Sequence, residues 1–440
     1  MFPSIGDSRR WRAAAAYFAK KIPPVKRLRV LIYSANFAPE PTGIGKYSGE
    51  MAAWLVEQGH DVRVIAAPPY YPAWRLTRGY RWPPFRRERV AGADVWRAPI
   101  WVPKSPGGVT RTLHLLSFAF SSFPLMMLQV TWRPDLVITV APAFMCAPAG
   151  LLTAWLSGAK AWLHLQDFEI DVAFQMGLLK GKWLQRLALR AEGWILRRFD
   201  TVSTISSRML ERLLMKGVAP ERTCYFPNWV DVSCVQPHPP REGYRAALGI
   251  PEDAVVALFS GTLGGKQGLM VIPAAAMLLR PKEKLVFVVC GEGVMQSAIE
   301  SAAGGLTNFR LIPLQPRERL QELLGMADIH LMPQSPDAAD LVLPSKLSGM
   351  LASGRPVIAT CRAGTEIAEI VEHCGIVVAP EDAVGLAAAI VALADDPARR
   401  ANLGARARDI AETRFEREAT LKRVFGPLDK GAGVSERAVC

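Results

Sequence analysis

Two segments of this 440-residue chain follow one plan: an apolar strand, a glycine-rich turn and a helix, first over residues 29–58 and again from residue 255. In the first, Val30, Leu31, Ile32 and Tyr33 lead into a loop with Gly43 and Gly45, then a helix carrying Met51, Trp54 and Leu55. In the second, residues 255–259 lead into Gly261, Gly264, Gly265 and Gly268, then a helix through Ile272 and Met277. Glycine lets the backbone turn sharply and approach a ligand, and the open N–H groups of a helix start favour an anion. Two such units a domain apart predict a ligand held between twin lobes.

Apolar runs alternate with helical patterns through both halves, at 30–34, 62–66, 95–98, 136–140, 161–165 and 201–204, then 255–259, 285–289, 309–312, 329–332, 357–359 and 375–378. Strands that are apolar almost without a break, flanked by helices, belong to parallel sheets covered on both faces. The expected class is therefore α/β, with two doubly wound, Rossmann-like domains. The divisions expected are a basic leader at 1–27, a first domain at 28–226, a proline-rich linker at 227–245, a second domain at 246–400, a helix at 401–425 and a tail at 426–440.

The charge is lopsided. Residues 1–230 hold 31 Lys and Arg against 15 Asp and Glu, and the remainder holds 22 against 25. No helix-turn-helix, zinc-finger spacing or RNA-recognition signature accompanies the basic half, so nucleic acid is not the expected partner. Anionic lipid headgroups or a phosphorylated substrate fit it better. The leader, with Arg9, Arg10, Arg12, Lys20, Lys21, Lys26 and Arg27 around Trp11 and Phe18, reads either as an interfacial helix or as a basic tail, and its apolar run is too short for a signal peptide. Residues 113–130 are apolar but contain His114, Pro124 and Gln129, which reads as a helix dipping into a membrane face or a core helix rather than a span. Seven scattered cysteines without a C-x-x-C pair point to a reducing cytosol and against a structural zinc.

The first glycine loop departs from the dinucleotide fingerprint. Gly49 follows Gly45 four residues on, and no acid stands at 66–69, so NAD is disfavoured and the loop suits a phosphate or a sugar. His164 ends an apolar strand and is followed by Gln166, Asp167, Glu169 and Asp171. Polar groups at such strand ends face the cleft, where a neutral imidazole can orient a sugar hydroxyl or the leaving phosphate. The three carboxylates imitate a Mg²⁺ or Mn²⁺ site, but alternate residues of an extended segment do not all share a face, and a solvated loop start is the reading adopted. In the second half, Gly261 and Lys266 precede a helix, Gly291 and Gly293 follow a buried strand, and Pro344, Ser345 and Lys346 open a helix that Gly354 ends. Lysines and helix-start amides in these places stabilise charge that grows on a diphosphate leaving group, with no metal required.

These residues resemble the GT-B glycosyltransferases of family 4, most closely those of colanic acid and related exopolysaccharide biosynthesis. The likeness rests on residues 36–45 (NFAPEPTGIG), 164–169 (HLQDFE), 226–231 (FPNWVD), Ser260 and Gly261 with Lys266, Gln267 and Gly268, and Pro344, Ser345 and Lys346 with residues 354–357 (GRPV). It implies a GT-B fold with a central cleft. The second domain would bind a nucleotide-sugar donor through Gly261, Lys266, Gly291, Gly293, Ser345 and Lys346. The first would receive an acceptor, often a saccharide on a polyprenyl diphosphate, near Gly43, Gly45 and Asp167. His164 and Lys266 are the expected catalytic residues, retention of configuration the expected outcome, and GDP-fucose the donor the resemblance suggests. The expected location is cytoplasmic, peripheral on the inner face of the plasma membrane, and no cofactor or metal is expected. The chain departs from the family where paired glutamates would fall on Leu341 and Gly349, and where Thr262 takes an arginine position. A nucleotide-sugar 2-epimerase of the same architecture, or a non-catalytic saccharide-binding scaffold, are the rival readings.

Overall fold

The computed structural model describes residues 27–104, 107–142, 144–168, 182–237, 242–336 and 343–429. The leader up to residue 26, the tail from 430, Glu169, Asp171 and Leu341 lie outside the described residues.

The first lobe contains β1 (Arg29–Ser34), α1 (Gly43–Glu57), β2 (Asp61–Ala66), β3 (Arg86–Val90), β4 (Ala93–Arg97), α2 (Gly108–Val130), β5 (Leu136–Ala141), α3 (Ala147–Ser157), β6 (Lys160–Leu165), α4 (Lys182–Leu196), β7 (Thr201–Thr204), α5 (Ser207–Met215) and β8 (Thr223–Tyr225). They form one sheet in the order β3-β4-β2-β1-β5-β6-β7-β8, parallel except for the edge strand β3. Every residue of β5 is buried, as a strand covered on both faces requires. Side chains alternate between two cores. Leu31, Tyr33, Val137 and Leu163 point to one face, covered by α2 to α5 through Phe118, Met126, Ala154, Leu196 and Met209. Val30, Ile32, Ile138 and Trp162 point to the other, covered by α1 through Met51, Trp54 and Leu55.

The second lobe contains α6 (Glu242–Ala247), β9 (Val255–Ser260), α7 (Val271–Leu278), β10 (Leu285–Cys290), α8 (Gln296–Ala303), β11 (Phe309–Ile312), α9 (Leu320–Gly325), β12 (Ile329–Pro333), α10 (Lys346–Ala352), β13 (Val357–Thr360), α11 (Glu366–Cys374), β14 (Gly375–Val378) and α12 (Ala383–Ala394). Its sheet is parallel throughout, in the order β11-β10-β9-β12-β13-β14. The order reverses between β1 and β5 in one lobe and between β9 and β12 in the other, and loops at such switch points hold ligands in doubly wound folds.

The lobes are joined by two crossings. Phe226 and Trp229 still pack in the first lobe, whereas Val230 and Val235 pack in the second. The helical pattern expected at 401–425 is broken in two: α13 (Pro397–Arg414) packs in the second lobe through Ala407 and Ala411, and α14 (Arg417–Asp429) packs on the first through Leu421, Val424 and Phe425. At the break, Val230 N donates to the Phe415 carbonyl (2.8 Å) and Arg417 N donates to the Val230 carbonyl (3.0 Å), so the two crossings are paired as a short parallel bridge.

Candidate active site

On the second-lobe side the loops after β9, β10 and β12 interlock. Leu263 N donates to the Glu292 carbonyl (2.9 Å) and Gly261 N to the Cys290 carbonyl (2.9 Å). A Cβ on Gly291 would lie 1.9 Å from the Gly261 oxygen, and one on Gly293 would lie 2.4 Å from the Leu263 oxygen. The space a larger residue would need is filled by backbone, so these two glycines serve first to close the loops on each other. Gly268 approaches the loop after β12 in the same way, its missing Cβ 2.8 Å from the Gln334 oxygen.

Lys346 reaches into this assembly from the first turn of α10. Its ammonium lies 4.1 Å from the centre of the Phe259 ring and 3.4 Å from Gln267 Oε1, and beside Gly261, whose Cβ would come within 3.2 Å of it. Among the described residues no carboxylate pairs with it. Burial of the charge lowers its pKa to about 7. A partly desolvated ammonium against an aromatic face and an amide oxygen, at a switch point, has the electrostatics of an anion site. Ser345 precedes it, exposed, with its hydroxyl not used to cap the helix. The side chain of Lys266 lies outside the described residues, although its backbone is placed in a short turn at Gly265–Gln267. Gly349 stands on α10 where the family's glutamate would be.

On the first-lobe side the centre is Glu40, which sequence reasoning did not single out. Its carboxylate accepts from Tyr70 N (3.1 Å), Tyr71 N (3.0 Å) and Asn36 Nδ2 (2.9 Å), tying the loop after β1 to the loop after β2. Burial raises its pKa, opposed by those bonds. The second glycine of the pair has its reason here: a Cβ on Gly45 would lie 2.5 Å from Glu40 Oε2, whereas Gly43 has a positive φ of 61° beside Tyr71. The fully buried Arg97 braces the same loops, donating to the carbonyls of Ala67 and Ala38 and to Glu88. Burial raises the pKa of the Tyr71 hydroxyl, which faces the second lobe near the Thr262 side chain.

His164 ends β6 and is buried. Its Nδ1 meets Ser203 Oγ at 2.9 Å, its Nε2 meets the Gln166 amide at 3.2 Å, and its ring packs on Phe226 with centroids 4.8 Å apart. Burial lowers its pKa to about 3, so the imidazole is neutral and fully partnered within the first lobe. Asp167 is partly buried at the same strand end. A second contact across the cleft comes from Glu366 at the start of α11, whose Oε2 accepts from Ser207 N (2.9 Å) and Arg208 N (3.4 Å) at the start of α5. Among the described residues no group of three His, Cys, Asp or Glu could hold a metal ion.

The structure thus brings together Gly261, Gly291, Gly293 and Lys346 on one side, and Gly43 and Gly45 around Glu40 on the other, with Tyr71 near Thr262 between them. Glu40 and Tyr71 escaped sequence reading because their link spans about thirty positions.

Comparison with known proteins agrees with this architecture. Residues 42–229 match the glycosyl transferase 4-like domain and residues 254–396 match the glycosyl transferases group 1 model. The chain is 41% identical over 415 residues, covering 91% of it and all of its relative, to WcaI of Escherichia coli K12, a protein named for glycosyl transfer in colanic acid biosynthesis. Its fold is similar to sucrose-phosphate synthase from Thermosynechococcus elongatus, with TM-score 0.71, 18% identity and coverage of 92% of this chain and 99% of that one. It is also similar to Anabaena HepE in complex with UDP-glucose, with TM-score 0.66, 15% identity and coverage of 92% and 100%. With two sheets facing one cleft and a relative of this identity matched along its whole length, the chain belongs to the GT-B glycosyltransferases of family 4 and is a glycosyltransferase.

Proposed function

We propose that this enzyme moves a sugar from a nucleotide diphosphate donor to a lipid-linked saccharide during assembly of a colanic-acid-type exopolysaccharide, with retention, at the inner face of the plasma membrane. The observation that carries the donor side is the ammonium of Lys346, partly buried beside Gly261 and without a carboxylate partner among the described residues. A diphosphate supplies the missing negative charge, and its developing charge as the glycosidic bond breaks is what this ammonium, the Ser345 hydroxyl and the amides of the interlocked loops stabilise. Lys266, in the turn at Gly265–Gln267 after β9, joins them in this reading. No metal is needed for that task. Gly43, Gly45 and Asp167 border the acceptor side, and His164 acts as a neutral imidazole toward the transferred sugar once Gln166 turns aside.

The test is a panel of GDP, UDP and ADP scored by thermal shift, since a ligand bound only by the folded state raises its stability with concentration. The base that stabilises then fixes which sugar nucleotides to offer with a lipid extract of polyprenyl-linked acceptors. GDP is the expected base and GDP-fucose the expected donor. Stabilisation by none of the three, or equal stabilisation of wild type and Lys346→Ala, overturns the donor site.

A further inference from the structure

The geometry points to a bilayer-docking face on the first lobe, built from α2, α3 and α4 and matched to anionic headgroups. The three helices lie on one side of the first sheet, because their inward residues, among them Phe118, Ala154 and Leu196, share one core. Their outward side is apolar where a water-facing side would be polar. Phe120 is 76% exposed, Trp155 77%, Trp183 75% and Trp194 54%, with Phe123 and Leu187 also exposed. Soluble surfaces rarely gather large apolar side chains this way, and tryptophan is the residue favoured at a membrane–water boundary.

Charge separates the helices into two kinds. Residues 113–130 and the whole of α3 contain no Asp, Glu, Lys or Arg. In α4 and the turn after it, Arg186, Arg190, Arg197 and Arg198 are exposed, and the Arg198 guanidinium lies 3.9 Å from the centre of the Trp194 ring. The one acid of α4, Glu192, is buried and paired with Lys216, so the helix presents cations alone. Two uncharged helices that enter the interface beside one arginine-rich helix that holds phosphate headgroups fit an anionic bilayer.

The helix at Val109–Val130 is long and apolar enough to cross a membrane, with mean hydropathy 1.5 and a third of its apolar window buried. Its inner face is committed to the lobe: Phe118 and Met126 are fully buried, and Ser122 Oγ is hydrogen-bonded to the Tyr33 hydroxyl at 2.6 Å. It therefore lies along the surface. It also starts at the cleft, where the His114 ring packs against Tyr70 with centroids 4.8 Å apart and Tyr70 N is held by Glu40. Docking by this face brings the cleft mouth to the headgroup level, which names the partner of the acceptor side in the reading above and rests on that reading for its purpose.

The experiment uses the full chain and sucrose-loaded vesicles of equal parts phosphatidylglycerol and phosphatidylethanolamine, against phosphatidylcholine alone. Wild type is expected to sediment with the anionic vesicles and to show a blue-shifted tryptophan emission there. Arg186→Glu with Arg190→Glu is expected to weaken binding about tenfold or more, and Phe120→Ser with Trp155→Ser to abolish it. The nucleoside diphosphate thermal shift, measured on every variant, reports a folded donor lobe. Wild type that stays in the supernatant, or variants that sediment like wild type while keeping that shift, overturn the face and leave the donor site standing. A lipid-free dimer dissolved by the same substitutions, with no vesicle binding, overturns it in favour of self-association. Loss of the nucleotide shift with vesicle binding intact overturns the donor site alone.

Discussion

Lys346 carries the most consequence of any side chain in this molecule, because the surrounding loops partly desolvate its charge and, among the described residues, give it no counter-ion. Charge-assisted hydrogen bonds contribute about 1.5–3 kcal/mol each, so Lys346→Ala is expected to weaken nucleoside diphosphate binding about tenfold to a hundredfold, read by isothermal titration calorimetry. With the ammonium titrating near 7 in the free enzyme, wild-type affinity should fall as pH rises above 7, by at most about tenfold per unit, while Lys346→Ala stays flat. The stability of the ligand-free protein runs the other way. The folded pKa of about 7 lies below the ordinary 10.5, so between them the unfolded chain holds the proton more tightly and raising pH favours folding. Urea midpoints should rise over that window in wild type relative to Lys346→Met. Glu40 makes the opposite kind of contribution: Glu40→Ala strands the buried amide of Tyr70 and the part-buried amide of Tyr71, at about 1–3 kcal/mol for the buried group and less for the other, and the first lobe should melt earlier by tryptophan fluorescence.

Among the elements, α14 is the one whose loss the molecule would feel most widely. Phe425 is buried against Trp54, Trp162 and Phe226, all in the first lobe, with ring centroids 5.2–5.9 Å apart. Deleting such a ring leaves a cavity costing about 3–5 kcal/mol, so Phe425→Ala should lower the first transition in guanidinium by that amount. The strands were legible because buried parallel strands such as Leu136–Ala141 and Leu285–Cys290 are apolar at every position or nearly so. The edge strand Arg86–Val90 was not, since it is mostly charged and exposed and is held by pairing with β4 rather than by burial. The break between α13 and α14 was hidden for a similar reason: the helical pattern runs on through Phe415, and only the pairing with Val230 divides it. The same division applies to the site. Pro344, Ser345 and Lys346 announce themselves by local pattern, whereas the burial of His164 and the packing duty of Gly291 and Gly293 depend on neighbours far along the chain.

Across the whole molecule, the lobes touch around the cleft through Glu366 with the start of α5, and through Arg208 with Glu369 and the Gly364 carbonyl. Both contacts are polar and small, so they hold a closed arrangement only weakly against thermal opening. Arg208→Ala combined with Glu366→Ala is expected to increase the radius of gyration in small-angle scattering and to reduce nucleoside diphosphate affinity several-fold. Saturating nucleotide should restore compactness, because a ligand that touches both sides favours the closed population. The chain that crosses at Val230 is hydrogen-bonded to the chain that crosses back at Phe415 and Arg417, and Arg408 of α13 further clasps the carbonyls of Val232, Val235 and Ala352. A protease that severs the peptide near residue 237 should therefore yield two fragments that travel together on gel filtration, since α14 keeps its grip on the far lobe after the cut.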